Sequence, residues 1–412
     1  REKPVTGSPW VVSGSTLKDT DCYFFIKYTN KVKDMLNRKQ IEENPTNRVA
    51  LRMAVSSNAP SHPGGSERYA IDLAQGLAAQ GVDTAYFASN FRTLTFNNPQ
   101  IKLWPIRGTT FLPRFCKENI YSYRVRKAQA DADIDVLVAC NRVATADIAM
   151  CGGTHIGFLK AMQKKVRIRD QRKIKLETKM YQQASLIMAH SKLMRQELLD
   201  LYGLPAEKIW VLYPPVNHNR FTLVSKEKRK QLRKRFGFED NEIVMLFPSS
   251  SHDRKGLELV LEAVERMGSP FVLAVAGKKP EIDSEYIRYL GYIKKIEACY
   301  QAVDFSILAP LYEPFGLVGV ESVLCGTPVI FPTNVGSTEV LDRSACYVFE
   351  PADLDGLCNI LTIVKRRNNS DPNSLRVAKP EQSILYDYKI DSHVKEVIKM
   401  ASFCMQSRGD RC

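Results

Sequence analysis

Residues 312–330 read YEPFGLVGVESVLCGTPVI. Two acids, Glu313 and Glu321, stand eight residues apart in a segment that is otherwise almost wholly apolar and dotted with glycine. A core helix has no need of Glu321, and a surface helix would not be this apolar. The preceding run, DFSILAPL (304–311), has the short apolar pattern of a buried strand. Pro314 disfavours helix at Glu313 and suits a first helical turn, so a helix is expected over roughly Gly316–Cys325. Glu313 then lies past the carboxyl end of a strand, and Glu321 lies about one and a half turns into the helix that follows.

The open N–H groups at such a helix start form an anion site. Gly316 lets a ligand approach the backbone closely. A carboxylate deeper along the helix can accept a pair of ribose hydroxyls while staying clear of a diphosphate. The segment therefore reads as the seat of a nucleoside diphosphate.

Working outward, apolar runs of four to eight residues alternate with amphipathic helical stretches. Strand candidates are VALRMAVSSNA (49–59), VDTAYFAS (82–89), IDVLVAC (134–140) and ASLIMAHS (184–191), with helices YAIDLAQGLAAQG (69–81) and KLMRQELLDLYG (192–203) among them. IWVLYPPVNHNRF (209–221) is a stiff, proline-bearing connection. The pattern then restarts with EIVMLFPSSS, GLELVLEAVERMG, PFVLAVAGK, YIRYLGYI, IEACYQAV, DFSILAPL and TPVIF. Such alternation specifies parallel βα units with helices on both faces of each sheet. The expected fold class is α/β, two Rossmann-like parallel-sheet domains facing a central cleft, with ligands beyond the carboxyl ends of the strands. The expected boundaries are 48–217 and 218–375, after an extension at 1–47 with no assigned role. A helical segment at 376–412 follows, and its pattern does not say where it packs.

Three other places bear on the cleft. Arg254-Lys255-Gly256 follows the strand EIVMLFPSSS and opens the next helix. Two cations there oppose a helix dipole unless an anion is present, and they suit the charge that grows on a departing diphosphate. Gly64-Gly65 lies between the first strand and first helix, where backbone can approach a ligand. His155 follows the Gly152-Gly153 turn. DAD at 131–133 precedes a strand where a metal motif would follow one, so it reads as turn chemistry. With no HExxH or Cys/His cluster, no metal and no other cofactor is expected.

The E-P-F-G-L-V-G-V-E run with CGTPVI after it, the R-K-G turn and the Gly-Gly loop together resemble family 4 retaining glycosyltransferases of GT-B fold. The resemblance covers about residues 49–365, and SSSHDRKGLELVLEAV is especially similar to bacterial lipopolysaccharide core glucosyltransferases. It implies a hexosyltransferase acting on a nucleoside-diphosphate sugar, a UDP-sugar first among them, with a glycan or glycolipid such as lipopolysaccharide core as acceptor. It places donor phosphates on Arg254 and Lys255, ribose on Glu321, and donor sugar or phosphate on Glu313. Gly64, Gly65, Phe315, Gly316 and Leu317 complete the donor site, and His155 orients the sugar. Many relatives carry another arginine where this chain has Ser249-Ser250. Rival readings are a UDP-sugar 2-epimerase on the same scaffold and a non-catalytic glycan- or nucleotide-binding protein.

Composition sets the frame for these readings. At 412 residues, with 44% hydrophobic and 25% charged residues, the chain is an ordinary globular protein long enough for two domains. No apolar run approaches the ~18 residues of a membrane span, and CYFFI (22–26) is too short for a signal peptide. Ten scattered cysteines without a CxxC pair imply reduced thiols and a cytoplasmic setting. The net charge of +14 favours anionic partners, much of it in KAMQKKVRIRDQRKIKLETK (160–179) and KEKRKQLRKR (226–235). The first stretch could hold the protein peripherally on an anionic inner membrane face; the second reads as a solvated helix face. Nothing matches a nucleic-acid-binding signature, and no nucleic-acid partner is expected.

Overall fold

The computed structural model describes residues 51–58, 65–91, 96–108, 114–371 and 375–409. Gly64 and the 1–47 extension lie outside the described residues. The first domain runs β1 (Arg52–Ser56), α1 (Gly65–Ala79), β2 (Asp83–Ala88), β3 (Lys102–Pro105), α2 (Arg114–Asp131), β4 (Val136–Ala139) and β5 (Ile148–Cys151). It continues with α3 (His155–Ala161), α4 (Ile168–Gln183), β6 (Leu186–Ala189), α5 (Lys192–Tyr202) and β7 (Ile209–Val211). Its seven strands lie in the order β3-β2-β1-β4-β5-β6-β7, and every pairing is parallel. VLVA, IAMC and LIMA are buried at all four positions, as central parallel strands require.

The second domain contains α6 (Lys226–Arg235), β8 (Ile243–Ser249), α7 (His252–Lys255), α8 (Leu257–Met267), β9 (Phe271–Gly277), β10 (Ile287–Gly291) and α9 (Glu297–Ala302). β11 (Phe305–Ile307), α10 (Leu317–Leu324), β12 (Val329–Pro332), β13 (Cys346–Phe349) and α11 (Leu354–Ser370) complete it, and α12 (Ile390–Gly409) ends the chain. The sheet order is β10-β9-β8-β11-β12-β13, again parallel throughout. Both sheets reverse direction of growth once, between β1 and β4 and between β8 and β11. Those reversals are where crevices open at the strands' carboxyl ends.

Four strands escaped the sequence pattern, β5 and β13 among them. β3 is a four-residue edge strand with no buried position, and β7 is a three-residue strand at the head of the proline-rich connection. The R-K-G turn also differs from expectation. It closes its own short helix, α7, and Gly256 in the left-handed conformation (φ 73°) starts α8 afresh.

The 376–412 stretch is not one piece. Leu375, Val377, Ile384 and Tyr388 pack in the core of the second domain. Val394, Val397, Met400, Ala401 and Cys404 of α12 pack in the core of the first. The chain thus crosses between the domains twice, side by side. Val216 N donates to Tyr388 O (2.8 Å), and the Tyr386 hydroxyl donates to Pro214 O (2.8 Å).

The basic run on α6 is only partly a solvated face. Arg229 and Arg233 reach Asp304, ahead of β11, at 2.6 and 3.0 Å, and Arg233 is buried. At DAD, Asp133 has a positive φ (52°) and pairs with Arg52, in keeping with turn chemistry.

Candidate active site at the switch point of the second sheet

β8 and β11 flank the reversal of the second sheet, so the segments leaving them share one crevice. The first is α7, carrying Arg254 and Lys255; the second is the loop 308–316 leading into α10. Backbone bonds stitch them together: Ala309 N donates to Lys255 O (3.1 Å) and Leu311 N to Arg254 O (2.9 Å). A Cβ on Gly256 would stand 2.0 Å from Ala309 O, so only glycine lets the two loops approach this closely. Arg254 Nη1 donates to Tyr312 O and to Glu313 Oε2, both at 2.8 Å, and Lys255 Nζ lies 3.7 Å from that Oε2. Glu313 and the two cations form one cluster, although about sixty residues separate them in the chain.

Gly316 starts α10 in the left-handed conformation (φ 80°). A Cβ there would meet Val335 Cγ1 at 3.0 Å and Glu313 Cγ at 3.1 Å, so the turn itself demands glycine whatever binds beside it. No side chain among the described residues caps α10, and the first-turn N–H groups of Leu317 and Val318 have no backbone partner among them. Glu321 is half-buried and accepts a hydrogen bond from the Tyr300 hydroxyl at 3.2 Å. Burial pushes its carboxyl above the usual glutamate range, against the opposing pull of Tyr300, Arg220 and Lys255. Leu317 packs partly buried against the domain core. Phe315 is buried, with its ring 6.0 Å from Tyr213 and 6.3 Å from Tyr386. Its side chain is therefore a core residue, which leaves only its backbone for a donor contact.

The first domain meets this loop directly. The Tyr312 hydroxyl accepts from Thr154 N (2.7 Å) and donates to Glu197 Oε1 (2.7 Å). Ser191 Oγ donates to Pro314 O (2.7 Å). Glu339 of the second domain accepts from Lys192 N and Leu193 N at the start of α5 (2.8 and 2.9 Å). His155 is the first residue of α3, held from α4. Its N–H donates to Glu177 Oε2 (2.8 Å), and its Nε2 lies 3.1 Å from Asp170 Oδ1. Gly65 begins α1 with open space around the position a Cβ would take. Beyond β1 and β4 lies a polar cavity of about 520 Å³, lined by Asn58, Asn141, Arg142, Gly152 and Gly153 among others.

Tyr312, Thr154, Glu177, Glu197 and Asp170 were missed by sequence reasoning. Each is a common residue in an unremarkable setting, and no spacing links Tyr312 to partners more than a hundred positions away. Among the described residues, no group of three or more His, Cys, Asp or Glu is arranged to hold a metal ion.

Residues 63–220 match the family model for Glycosyltransferase Family 4, and residues 242–364 match that for Glycosyl transferases group 1. A probable transglycosylase of Burkholderia thailandensis is 46% identical over 363 residues, 87% of this chain and 99% of that protein. The chain belongs to glycosyltransferase family 4. A mannosylfructose-phosphate synthase of Agrobacterium fabrum is 25% identical over 45% of the chain and 46% of its own length. Among solved structures, this glycosyltransferase is similar to WaaG, a glycosyltransferase involved in lipopolysaccharide biosynthesis. The two share a TM-score of 0.68 and 17% identity over 84% of this chain and 98% of the other. Anabaena HepE, solved with UDP-glucose, matches with TM-score 0.65 and 17% identity over 85% of this chain and 99% of HepE. These likenesses show that the two Rossmann-like domains form the GT-B arrangement.

Proposed function

We propose that this glycosyltransferase is a retaining, metal-independent hexosyltransferase. It would move a sugar from a UDP-sugar to a glycan or glycolipid acceptor, the phosphorylated lipopolysaccharide core being the acceptor class favoured. One observation carries the reading. Arg254 and Lys255 converge on Glu313 beside the uncapped start of α10, at the switch point where an α/β sheet takes its ligand. HepE, a fold relative, is solved with UDP-glucose, and WaaG is involved in lipopolysaccharide biosynthesis; both support the choice of donor and acceptor class.

In this reading the diphosphate lies over the N–H groups of Leu317 and Val318, with Glu321 on the ribose hydroxyls. Arg254 and Lys255 turn from Glu313 to the phosphates and hold the charge that develops as the bond from C1 to the phosphate oxygen breaks. Glu313, released from them, faces the donor sugar, and His155 orients it. The acceptor oxygen bonds to C1 on the face the phosphate leaves, and its proton passes to the departing phosphate oxygen. No protein nucleophile and no metal takes part. No helix among the described residues is long and apolar enough to cross a membrane. We place the protein in the cytoplasm, peripheral on the inner membrane face through its basic 160–179 stretch.

Thermal-shift screening against UDP-, GDP- and ADP-sugars tests the donor, since a ligand that binds only the folded state raises its apparent stability. A shift with UDP-sugars is expected. No shift with any nucleotide sugar would overturn the reading, and release of a free epimerised sugar would transfer the site to the epimerase class.

A further inference from the structure

The protein fills the start of α5 with a carboxylate from its other domain. Glu339 is half-buried in the turn Gly336–Val340. Its Oε2 accepts from Lys192 N (2.8 Å) and its Oε1 from Leu193 N (2.9 Å). Ser191 Oγ takes the next N–H, that of Met194, at 3.0 Å, and donates to Pro314 O at 2.7 Å. The first three donors of a first-domain helix are thus satisfied, two of them from the second domain, by a charge that the helix dipole favours. A local cap needs one side chain, and Ser191 already supplies it. The Tyr213 hydroxyl, at the interdomain crossing, also donates to Glu339 Oε2, at 3.1 Å.

Both ends of this link reach the reaction cleft. On the second domain, the turn carrying Glu339 is bound to the donor loop: Ser337 N donates to Phe315 O (2.6 Å) and Gly336 N to Glu313 O (3.4 Å). A Cβ on Gly336 would stand 2.2 Å from Pro314 O and 2.8 Å from Ser191 Cβ, so turn, donor loop and α5 meet in direct contact. On the first domain, Glu197 of α5 accepts from Thr154 Oγ1 at 2.6 Å, next to His155. We propose that Glu339 is a positioning residue for the transfer. By gripping the start of α5 it fixes where Thr154 and His155 stand against Glu313 and the start of α10. This inference rests on the transferase reading of the cleft.

The test compares the full chain with Glu339→Gln, which keeps the length but has a single oxygen for two N–H groups. Release of UDP from UDP-glucose, with water as acceptor, should fall about tenfold in kcat, as loss of one bond to a charged group implies. KM for UDP-glucose and calorimetric UDP affinity should stay within about twofold, because the contacts assigned to UDP all lie in the second domain. Hydrogen exchange read by mass spectrometry should quicken both at 192–195 and at 152–156, which Glu339 does not touch. Parental turnover overturns the proposal. So does faster exchange confined to 192–195, which would reduce Glu339 to a local cap, or UDP affinity falling in step with turnover, which would assign it to the fold of the donor loop. Failure of UDP to bind the parent would instead overturn the donor reading, so the two failures are distinguishable.

Discussion

Removing one oxygen, in Tyr312→Phe, tests whether the two domains act as a single site. The Tyr312 hydroxyl accepts from Thr154 N and donates to Glu197 Oε1, each at 2.7 Å. A neutral hydrogen bond contributes about 0.5–1.5 kcal/mol and one to a charged group about 1.5–3 kcal/mol. Discounted for a partly exposed ring, the loss should be about 1–3 kcal/mol. Because Tyr312 adjoins Glu313 and Thr154 adjoins His155, that loss should appear in turnover, as a roughly 5- to 150-fold drop in kcat. The KM for UDP-sugar should change little. A pH signature should accompany it. Burial pushes the Glu197 carboxyl above its ordinary 4.5, while hydrogen bonds from Thr154 and Tyr312 pull it back down. A raised acid binds its proton more tightly when folded, so its contribution to stability is present below 4.5 and is lost as pH rises through the folded value. Tyr312→Phe removes one opposing bond and should extend that loss to higher pH; Glu197→Gln should abolish it. Initial rates with UDP-sugar and acceptor, and urea unfolding from pH 4 to 8, make the measurement. Parental turnover together with an unchanged pH profile would refute the argument.

Lys255→Ala should lower kcat by about 10²–10³-fold, as loss of one preorganised charge stabiliser does, with UDP affinity changed far less; full activity would discredit its role. Glu321→Gln should weaken UDP binding about tenfold by calorimetry. In the parent, affinity should decline on acidification at a higher pH than an ordinary glutamate would give, because burial raises this carboxyl. Gly256→Ala should destabilise by more than about 2 kcal/mol, since alanine opposes the left-handed turn and its Cβ would collide with Ala309 O. An unchanged urea midpoint would contradict that assignment.

Much of this molecule follows from local pattern. Buried four-residue runs such as VLVA and LIMA specify parallel strands because a strand covered on both faces must be apolar throughout. Gly316 marks where α10 starts, since only glycine takes the left-handed turn at low cost, while Pro314 keeps the chain before it out of the helix. The spacing of Glu313 and Glu321, and the cations of the R-K-G turn, are likewise visible in the chain. Their meeting is not. Arg254 reaches Glu313 because β8 and β11 are neighbours in a sheet order that no local pattern encodes. The motif did not say where the Phe315 side chain goes, and it lies in the core because Tyr213 and Tyr386 arrive from both interdomain crossings to cover it. The last stretch read as helical without saying where it packs, and tertiary structure alone set α12 in the core of the first domain. Periodicity and turn chemistry act over a few residues, so the sequence determined the elements and the chemistry they carry. Which side chains share a pocket depends on contacts across a hundred residues or more, and those exist only once the sheets have formed.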